Sequence, residues 1–243
     1  MRIEKSIGKY SEEQASKNLK KGIPILLISY VFLLVTGLDY LPIYVSLGKL
    51  TGIADFVAGI AFMYGLMQFF VPYQHWKSGL NGERKVADNI SNKLGNEHAL
   101  FNDVMLKDGQ HRGNIDHIIV GPRGIFALET KNIQGAVTVN GDDWKGVRNS
   151  PSLQAKNNAR RIYNFLNNSK VLDKPIPYVE PIVVLSSKRT QLTIQREPHR
   201  CKIIQIKDQA DNSLYEYIMQ HGNIIFSTEE IETIVQFLKD KIA

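Results

Sequence analysis

Residues Asn114 to Asn132 read NIDHIIVGPRGIFALETKN. Two apolar runs of strand-forming residues flank the turn signal Gly-Pro-Arg-Gly, which predicts an antiparallel hairpin. If Val120 pairs with Ile125, cross-strand partners have residue numbers that sum to 245. Asp116 then stands opposite Glu129 and Asn114 opposite Lys131. The two-residue period of a strand puts Glu129 and Lys131 on one face, beside Asp116. Carboxylates placed opposite one another repel and are avoided in strand pairs. Lys131 offsets part of that repulsion, and a divalent cation offsets more. Mg²⁺ accepts carboxylate oxygens, main-chain carbonyls and waters, so Asp116, Glu129 and the Thr130 carbonyl form a candidate ligand set. A metal-activated water, a nearby ammonium and a positioned phosphate are the parts of metal-assisted phosphodiester hydrolysis. The structural alternative is an exposed, salt-bridged strand face.

The sequence around the hairpin divides into two parts. Ile23–Leu38 and Phe56–Tyr73 are uncharged runs of 16 and 18 residues. With their flanks they approach the roughly 20 apolar residues that a membrane-spanning helix needs. Arg2, Lys5, Lys9, Lys17, Lys20 and Lys21 precede the first run. Only Lys49 lies between the runs, and Lys77, Arg84 and Lys85 follow the second. The positive-inside rule then predicts a hairpin in the cell membrane with both termini cytoplasmic. Phe69, Phe70, Tyr73 and Trp76 suit an interfacial belt. A cleaved signal peptide is disfavoured, because no small-x-small site follows and a second apolar run comes soon after. A buried helical hairpin would ordinarily show a polar face. The expected organisation is a basic N-terminal segment (1–22), a two-helix transmembrane hairpin (23–73) and a cytoplasmic α/β domain (74–243).

Within that domain, Val86, Ile90 and Leu94 mark an amphipathic helix with Gly95 as its terminator and Glu83 on the apolar stripe. Leu100–Leu106 reads as a strand before the hairpin, and GAVTVNGDDWKGV as a further hairpin turning at Asn140-Gly141. Ser150 and Pro151 open a helix whose buried face carries Ala155, Ala159, Ile162 and Leu166. Pro181–Ser187 is an interior strand. CKIIQI and NIIF read as two short strands, and 212–220 and 228–242 as helices. The order helix, three-strand meander, helix, strand predicts a mixed sheet.

The chain has 30 basic and 24 acidic residues, a net charge of +6, and a single cysteine. The charge permits an anionic partner without requiring one. Cys201 alone excludes an intrachain disulfide framework and a cysteine metal cluster. Alternation sends His117 to the face opposite Asp116. The six histidines show no metal-ligand spacing, and no phosphate-loop or nucleophile-elbow motif occurs. Arg148, Lys156, Arg160 and Arg161 gather around the helix that carries Gln154, where they read either as a solvated face or as phosphate contacts that position nucleic acid without reading its sequence. Trp144 reads as packed or as a base-stacking ring.

Asp116 followed by Glu129-Thr130-Lys131 resembles the D…(D/E)-x-K signature of restriction-endonuclease-like nucleases. Gly82-Glu83, IDHIIVGPRGIFALETKN, GAVTVNGDDW and SPSLQAKNNA, in that order between Gly82 and Ser186, resemble the nuclease-related domain, NERD. The resemblance implies an α-β-β-β-α-β core with Asp116 and Glu129 as metal ligands and Lys131 as the catalytic lysine. Glu83 would be the acid of the first helix and Gln154 the polar residue of the following one. It further implies Mg²⁺ or Mn²⁺ as cofactor and nucleic acid, DNA above all, as partner. The lipid bilayer, met through Ile23–Tyr73, is a second expected partner, with room for a homo-oligomer or other membrane proteins. Three readings remain: a membrane-anchored metal-dependent nuclease, a catalytically silent membrane-tethered module of the same fold that binds nucleic acid or protein, or a purely structural membrane protein.

Overall fold

The computed structural model describes the backbone of residues 1–5, 23–24, 27–28, 30, 49–107 and 113–242. Among 49–76 it describes the side chains of 56, 57, 59, 60, 62–64, 66 and 67 only. The chain forms two compact units, Met1–Lys9 with Gly79–Ala243, and Tyr10–Ser78.

The first unit is a mixed α/β fold. Its elements are β1 (Arg2–Lys5), the end of α1 (Lys49–Ser91), β2 (Ala99–Val104), β3 (Ile115–Gly121), β4 (Gly124–Lys131), β5 (Gly135–Asn140), β6 (Asp143–Lys145), α2 (Pro151–Asn168), β7 (Val179–Leu185), β8 (Thr190–Arg196), β9 (Lys202–Gln205), α3 (Ser213–Gln220) and α4 (Thr228–Lys241). Six strands form one sheet in the order β1-β2-β3-β4-β7-β9. The antiparallel meander β2-β3-β4 is extended on both sides by parallel pairings, β1 on β2 and β7 on β4. A β-strand followed by a parallel neighbour needs a crossover, and α2 supplies it between β4 and β7.

Strand alternation builds two cores. Ile118, Val120, Ile125 and Ala127 pack with Ala159, Ile162 and Leu166 of α2 and with Ile231, Ile234 and Leu238 of α4. Ile119, Phe126 and Leu128 point the other way, onto Val86, Ile90 and Leu94 and onto Leu214 and Ile218 of α3. The helix α2 starts as its sequence dictates: Ser150 Oγ accepts from the Leu153 N–H, and Pro151 takes the first position, where its missing donor costs nothing. A capping box between Ser227 and Glu230 opens α4.

Several elements differ from the sequence expectation. The helix carrying Val86 and Ile90 is the last part of the 43-residue α1 and ends at Ser91, with Gly95 beyond it in a turn. The predicted hairpin at Asn140-Gly141 forms, but it leaves the main sheet and pairs with β8 in a second, three-stranded sheet. Residues Asn223–Phe226 form no strand. The Ile225 and Phe226 N–H groups both donate to the Pro122 carbonyl, at 2.9 and 3.1 Å, and Phe226 is a buried plug under the β3–β4 turn. Their apolar character serves the core rather than a ladder. At the other end of the sequence, Arg2–Lys5 forms a strand where only a basic segment was expected. Arg2 pairs with Glu232 at 2.7 Å and Glu4 with Lys239 at 2.6 Å.

The Ile23–Leu38 run lies almost wholly outside the described residues, and so does its expected membrane helix. Phe56–Tyr73 falls within α1, although many of its side chains are not described. Among the described residues no helix is long and apolar enough to cross a membrane. The side chains that are described there include exposed Phe56, Ile60, Met63, Tyr64 and Met67.

Candidate active site

The β3–β4 register is the expected one. Gly121 pairs with Gly124, Val120 with Ile125, and the ladder continues to His117 and Leu128 with partners summing to 245 throughout. At the next rung a side chain intervenes. Asp116 Oδ2 accepts the Thr130 backbone N–H at 2.7 Å. Because the N–H and C=O of one strand residue point to the same side, the Thr130 carbonyl lies on the β3 side too.

Asp116 shares its strand face with Ile118 and Val120, and Glu129 and Lys131 share theirs with Ile125 and Ala127. All three therefore face α2. There they line a cavity of about 460 Å³ with Asn114, Gln154, Asn157, Asn158 and Arg161. Residues 154, 157, 158 and 161 recur at three and four positions, so they form one stripe of α2. Asn158 Nδ2 donates to Glu129 Oε2 at 3.3 Å, and Lys131 Nζ lies 2.7 Å from Glu129 Oε1. The buried Arg161 donates to the Gly113 carbonyl at 3.3 Å.

Glu83 approaches from α1, on the opposite face of the sheet. It does not line this cavity, but it belongs to the same charge cluster. Burial, then the carboxylates of Asp103 and Glu129, push its pKa up to about 7, against the opposing pull of Lys131. Gly82 makes the approach of α1 feasible, since a Cβ there would meet Ser186 Oγ at 2.7 Å and Asn132 Cβ at 2.8 Å. Lys85, one turn on, donates to the Ser186 and Lys207 carbonyls at 2.7 and 3.1 Å and fixes α1 against the strand ends.

The electrostatics are those of acids crowded beyond what one lysine neutralises. Burial raises the Asp116 pKa well above the usual carboxylate range, and Glu129 and Glu83 add to the rise. Burial alone would depress Lys131, but Glu129, Asp116 and Glu83 outweigh it and hold its ammonium above the ordinary lysine value. Glu83 Oε2 and Gln154 Oε1 are buried without a hydrogen-bond partner, which is costly for acceptors of this kind.

Among the described residues no three His, Cys, Asp or Glu side chains stand together as a metal site. The donors that would hold Mg²⁺ or Mn²⁺ are instead two carboxylates, Asp116 and Glu129, and the Thr130 carbonyl. This oxygen-only set suits a hard cation that keeps part of its water shell. A buried Asp116 held above the usual carboxylate range beside Glu129, with the orphaned Gln154 acceptor in the same cavity, is what such a cation would relieve, so the residues fit it.

The four expected nucleic-acid contacts do not share one face. Arg161 joins the acidic cavity. Arg148 is exposed beyond β6. Lys156 pairs with Asp142 at 2.6 Å, and it lines a separate groove with Arg160. Asn157, Asn158 and Arg161 of the cavity stripe were less legible. Only the helical spacing from Gln154 signals the first two, and Arg161 read as one of a general basic cluster.

The remaining candidates are structural. His117 is buried on the α1 side, its Nδ1 2.7 Å from Asn102 Oδ1, and burial depresses its pKa to about 3. Trp144 is buried and donates to Ser152 Oγ at 3.0 Å. The Cys201 thiol is buried and pushed up to about 12.

Residues 78–186 match the family model for NERD, the nuclease-related domain. The match takes in the end of α1, β2–β6, α2 and β7, and with them every group that lines the acidic cavity. No curated protein and no solved structure matches the chain.

Proposed function

We propose that this chain is a membrane-anchored, metal-dependent nuclease that hydrolyses phosphodiester bonds of DNA. The convergence of Asp116, Glu129 and Lys131 in one polar cavity, inside a nuclease-related domain, carries the reading.

Asp116, Glu129 and the Thr130 carbonyl would hold Mg²⁺ or Mn²⁺. Such an ion supplies positive charge to a phosphoryl oxygen and lowers the pKa of a water. The Lys131 ammonium, held protonated by its acid neighbours, acts as a donor to the developing phosphoryl charge rather than as a base. Its bond to Glu129 keeps it aimed into the cavity until the phosphate arrives. Arg161 and Asn157 add donors on the α2 wall, and Asn158 orients Glu129. Gln154 offers an acceptor to the attacking water, and Glu83 sets the charge of the cluster from behind. In the hydrolysis the water oxygen bonds to phosphorus, the P–O ester bond breaks, and the leaving oxygen takes a proton. Arg148 and Arg160 would meet flanking phosphates, while Lys156 is held by Asp142.

The membrane reading rests on two observations. The exposed apolar side chains at 56, 60, 63, 64 and 67 follow helical spacing. In addition, β1 pairs with β2, so residues 2–5 and the nuclease-related domain share a compartment. A segment between them that enters a bilayer must cross it an even number of times. Two apolar runs satisfy this, and the basic flanks favour the cytoplasm for both ends.

The test is incubation of the purified full-length chain, in detergent, with plasmid and linear DNA and with RNA, plus Mg²⁺ or Mn²⁺. The expected result is cleavage of DNA that EDTA stops and that Asp116→Ala and Lys131→Ala abolish. Cleavage that persists in both variants would overturn the assignment of the site. DNA binding without cleavage would favour the silent module.

A further inference from the structure

The second groove on α2 has a different chemistry. Lys156, Arg160 and Tyr163 recur at helical spacing and face Tyr178, His199 and Arg200 across a cavity of about 350 Å³ whose walls are mostly apolar, with Pro177 and Pro181 among them. No acid lines it. Tyr163 and Tyr178 are both exposed, 37% and 40%, although large aromatic rings ordinarily find cover. The Tyr178 hydroxyl lies 3.5 Å from the Arg200 carbonyl, which holds the ring against the loop. Arg200 itself sits at φ +51°, a left-handed conformation that costs a non-glycine residue energy and recurs at ligand sites. Lys156 is already committed to Asp142, so among the described residues Arg160 and Arg200 carry the charge at the rim that no ion pair takes up.

We propose that this groove binds single-stranded nucleic acid, with unpaired bases stacked on Tyr163 and Tyr178 and phosphates on Arg160 and Arg200. Aromatic faces flanked by cations are the general means of holding single strands without reading sequence. A paired duplex hides the base faces that these rings need. The proposal rests on the nuclease reading for its occupant. The stripe 154-157-158-161 lines the acidic cavity and the stripe 156-160-163 lines the groove, on opposite flanks of one helix about 10–12 Å across. A strand cut in the cavity therefore has a seat for its neighbouring nucleotides on the far side of α2. The groove makes the preferred substrate a DNA with a single-stranded segment next to the cut.

The test is fluorescence anisotropy of a fluorescein-labelled oligothymidylate on the full-length chain in EDTA, with a duplex of equal length in parallel. Tyr163→Ala with Tyr178→Ala should weaken single-strand binding at least about fivefold, from the usual contribution of one stacked base. The same change should leave duplex affinity unchanged. The double Phe variant should bind as the parent does, since stacking needs the ring and not the hydroxyl. Arg160→Ala with Arg200→Ala should weaken binding and flatten its salt dependence. Unchanged single-strand affinity in the Tyr→Ala pair would overturn the proposal. Equal losses on duplex and single strand, or equal losses in the Phe and Ala pairs, would overturn it too. The assay reads binding without catalysis, so the two readings fail separately. Groove-dependent binding in a chain that never cleaves would sink the nuclease reading alone, and cleavage with groove-independent binding would sink the groove alone.

Discussion

The Thr130 N–H donates to the Asp116 carboxylate where the β3–β4 ladder would otherwise continue. A side chain has replaced a main-chain acceptor at the last rung. The exchange draws Asp116 toward the end of β4, beside Glu129, and leaves a carboxylate where a neutral group would cost less. The predictions below follow from that cost.

Asp116→Asn keeps an oxygen for the Thr130 N–H and removes the charge. In EDTA at pH 8 the variant should melt higher than the parent by about 2–4 °C for each kcal/mol of repulsion relieved, while DNA cleavage disappears. A melting temperature that falls would mean that the carboxylate stabilises the fold by itself.

Stability should fall with rising pH in the absence of metal. Glu83 is raised from its ordinary value to about 7, and Asp116 is raised as well. Between the unfolded carboxylate range and about pH 7 the folded chain therefore holds more protons than the unfolded one. The stability lost over that window is on the order of 1 kcal/mol per pH unit for Glu83, and Asp116 adds a loss of the same sign. Thermal melts in EDTA from pH 5 to 8 should show this decline, and Glu83→Gln should reduce it. Added Mg²⁺ should raise the melting temperature more at pH 8 than at pH 5, when the acids are ionised. A pH-independent response to Mg²⁺ would place its binding elsewhere.

Much of this site was legible because it depends on local rules. The Gly-Pro-Arg-Gly turn fixes the register, the register fixes which residues face each other, and alternation fixes the shared face of Asp116, Glu129 and Lys131. Ser150-Pro151 likewise marks the start of α2 and so the position of Gln154. What escaped depends on tertiary context. Arg2–Lys5 is too short and too charged to signal a strand, and forms one because the edge of β2 offers partners. Thr190–Arg196 is largely exposed and lacks an apolar stripe. It is a strand because β5 pairs with it. Asn223–Phe226 has strand composition, but only Ile225 and Phe226 pack into the core and Ile224 is exposed. The two flanks of α2 carry different chemistries, and the cations scattered along its sequence show this only once the groove opposite them is formed.

Gly82→Ala should be disproportionately harmful for so small a change. The added methyl meets Ser186 and Asn132 at under 3 Å, and overpacking of this kind costs about 1–3 kcal/mol. It should also displace Glu83, so cleavage should fall together with the melting temperature. Wild-type stability and activity in this variant would show that α1 can move aside freely.

The proposed membrane topology has a separate readout. Reporters at the N-terminus and after Ala243 should both be active in the cytoplasm, and the chain should resist alkaline extraction from membranes. Signals from opposite compartments would contradict the strand pairing of β1 with β2, and full release by alkali would remove the anchor.

The central claim is that Asp116 and Glu129 hold a divalent cation beside Lys131. Anomalous scattering from crystals of the chain soaked in Mn²⁺ tests it most directly. The account predicts a Mn²⁺ peak between the two carboxylates, lost in Asp116→Asn crystals. Saturating Mn²⁺ with no peak there, or with a peak only elsewhere, would contradict it.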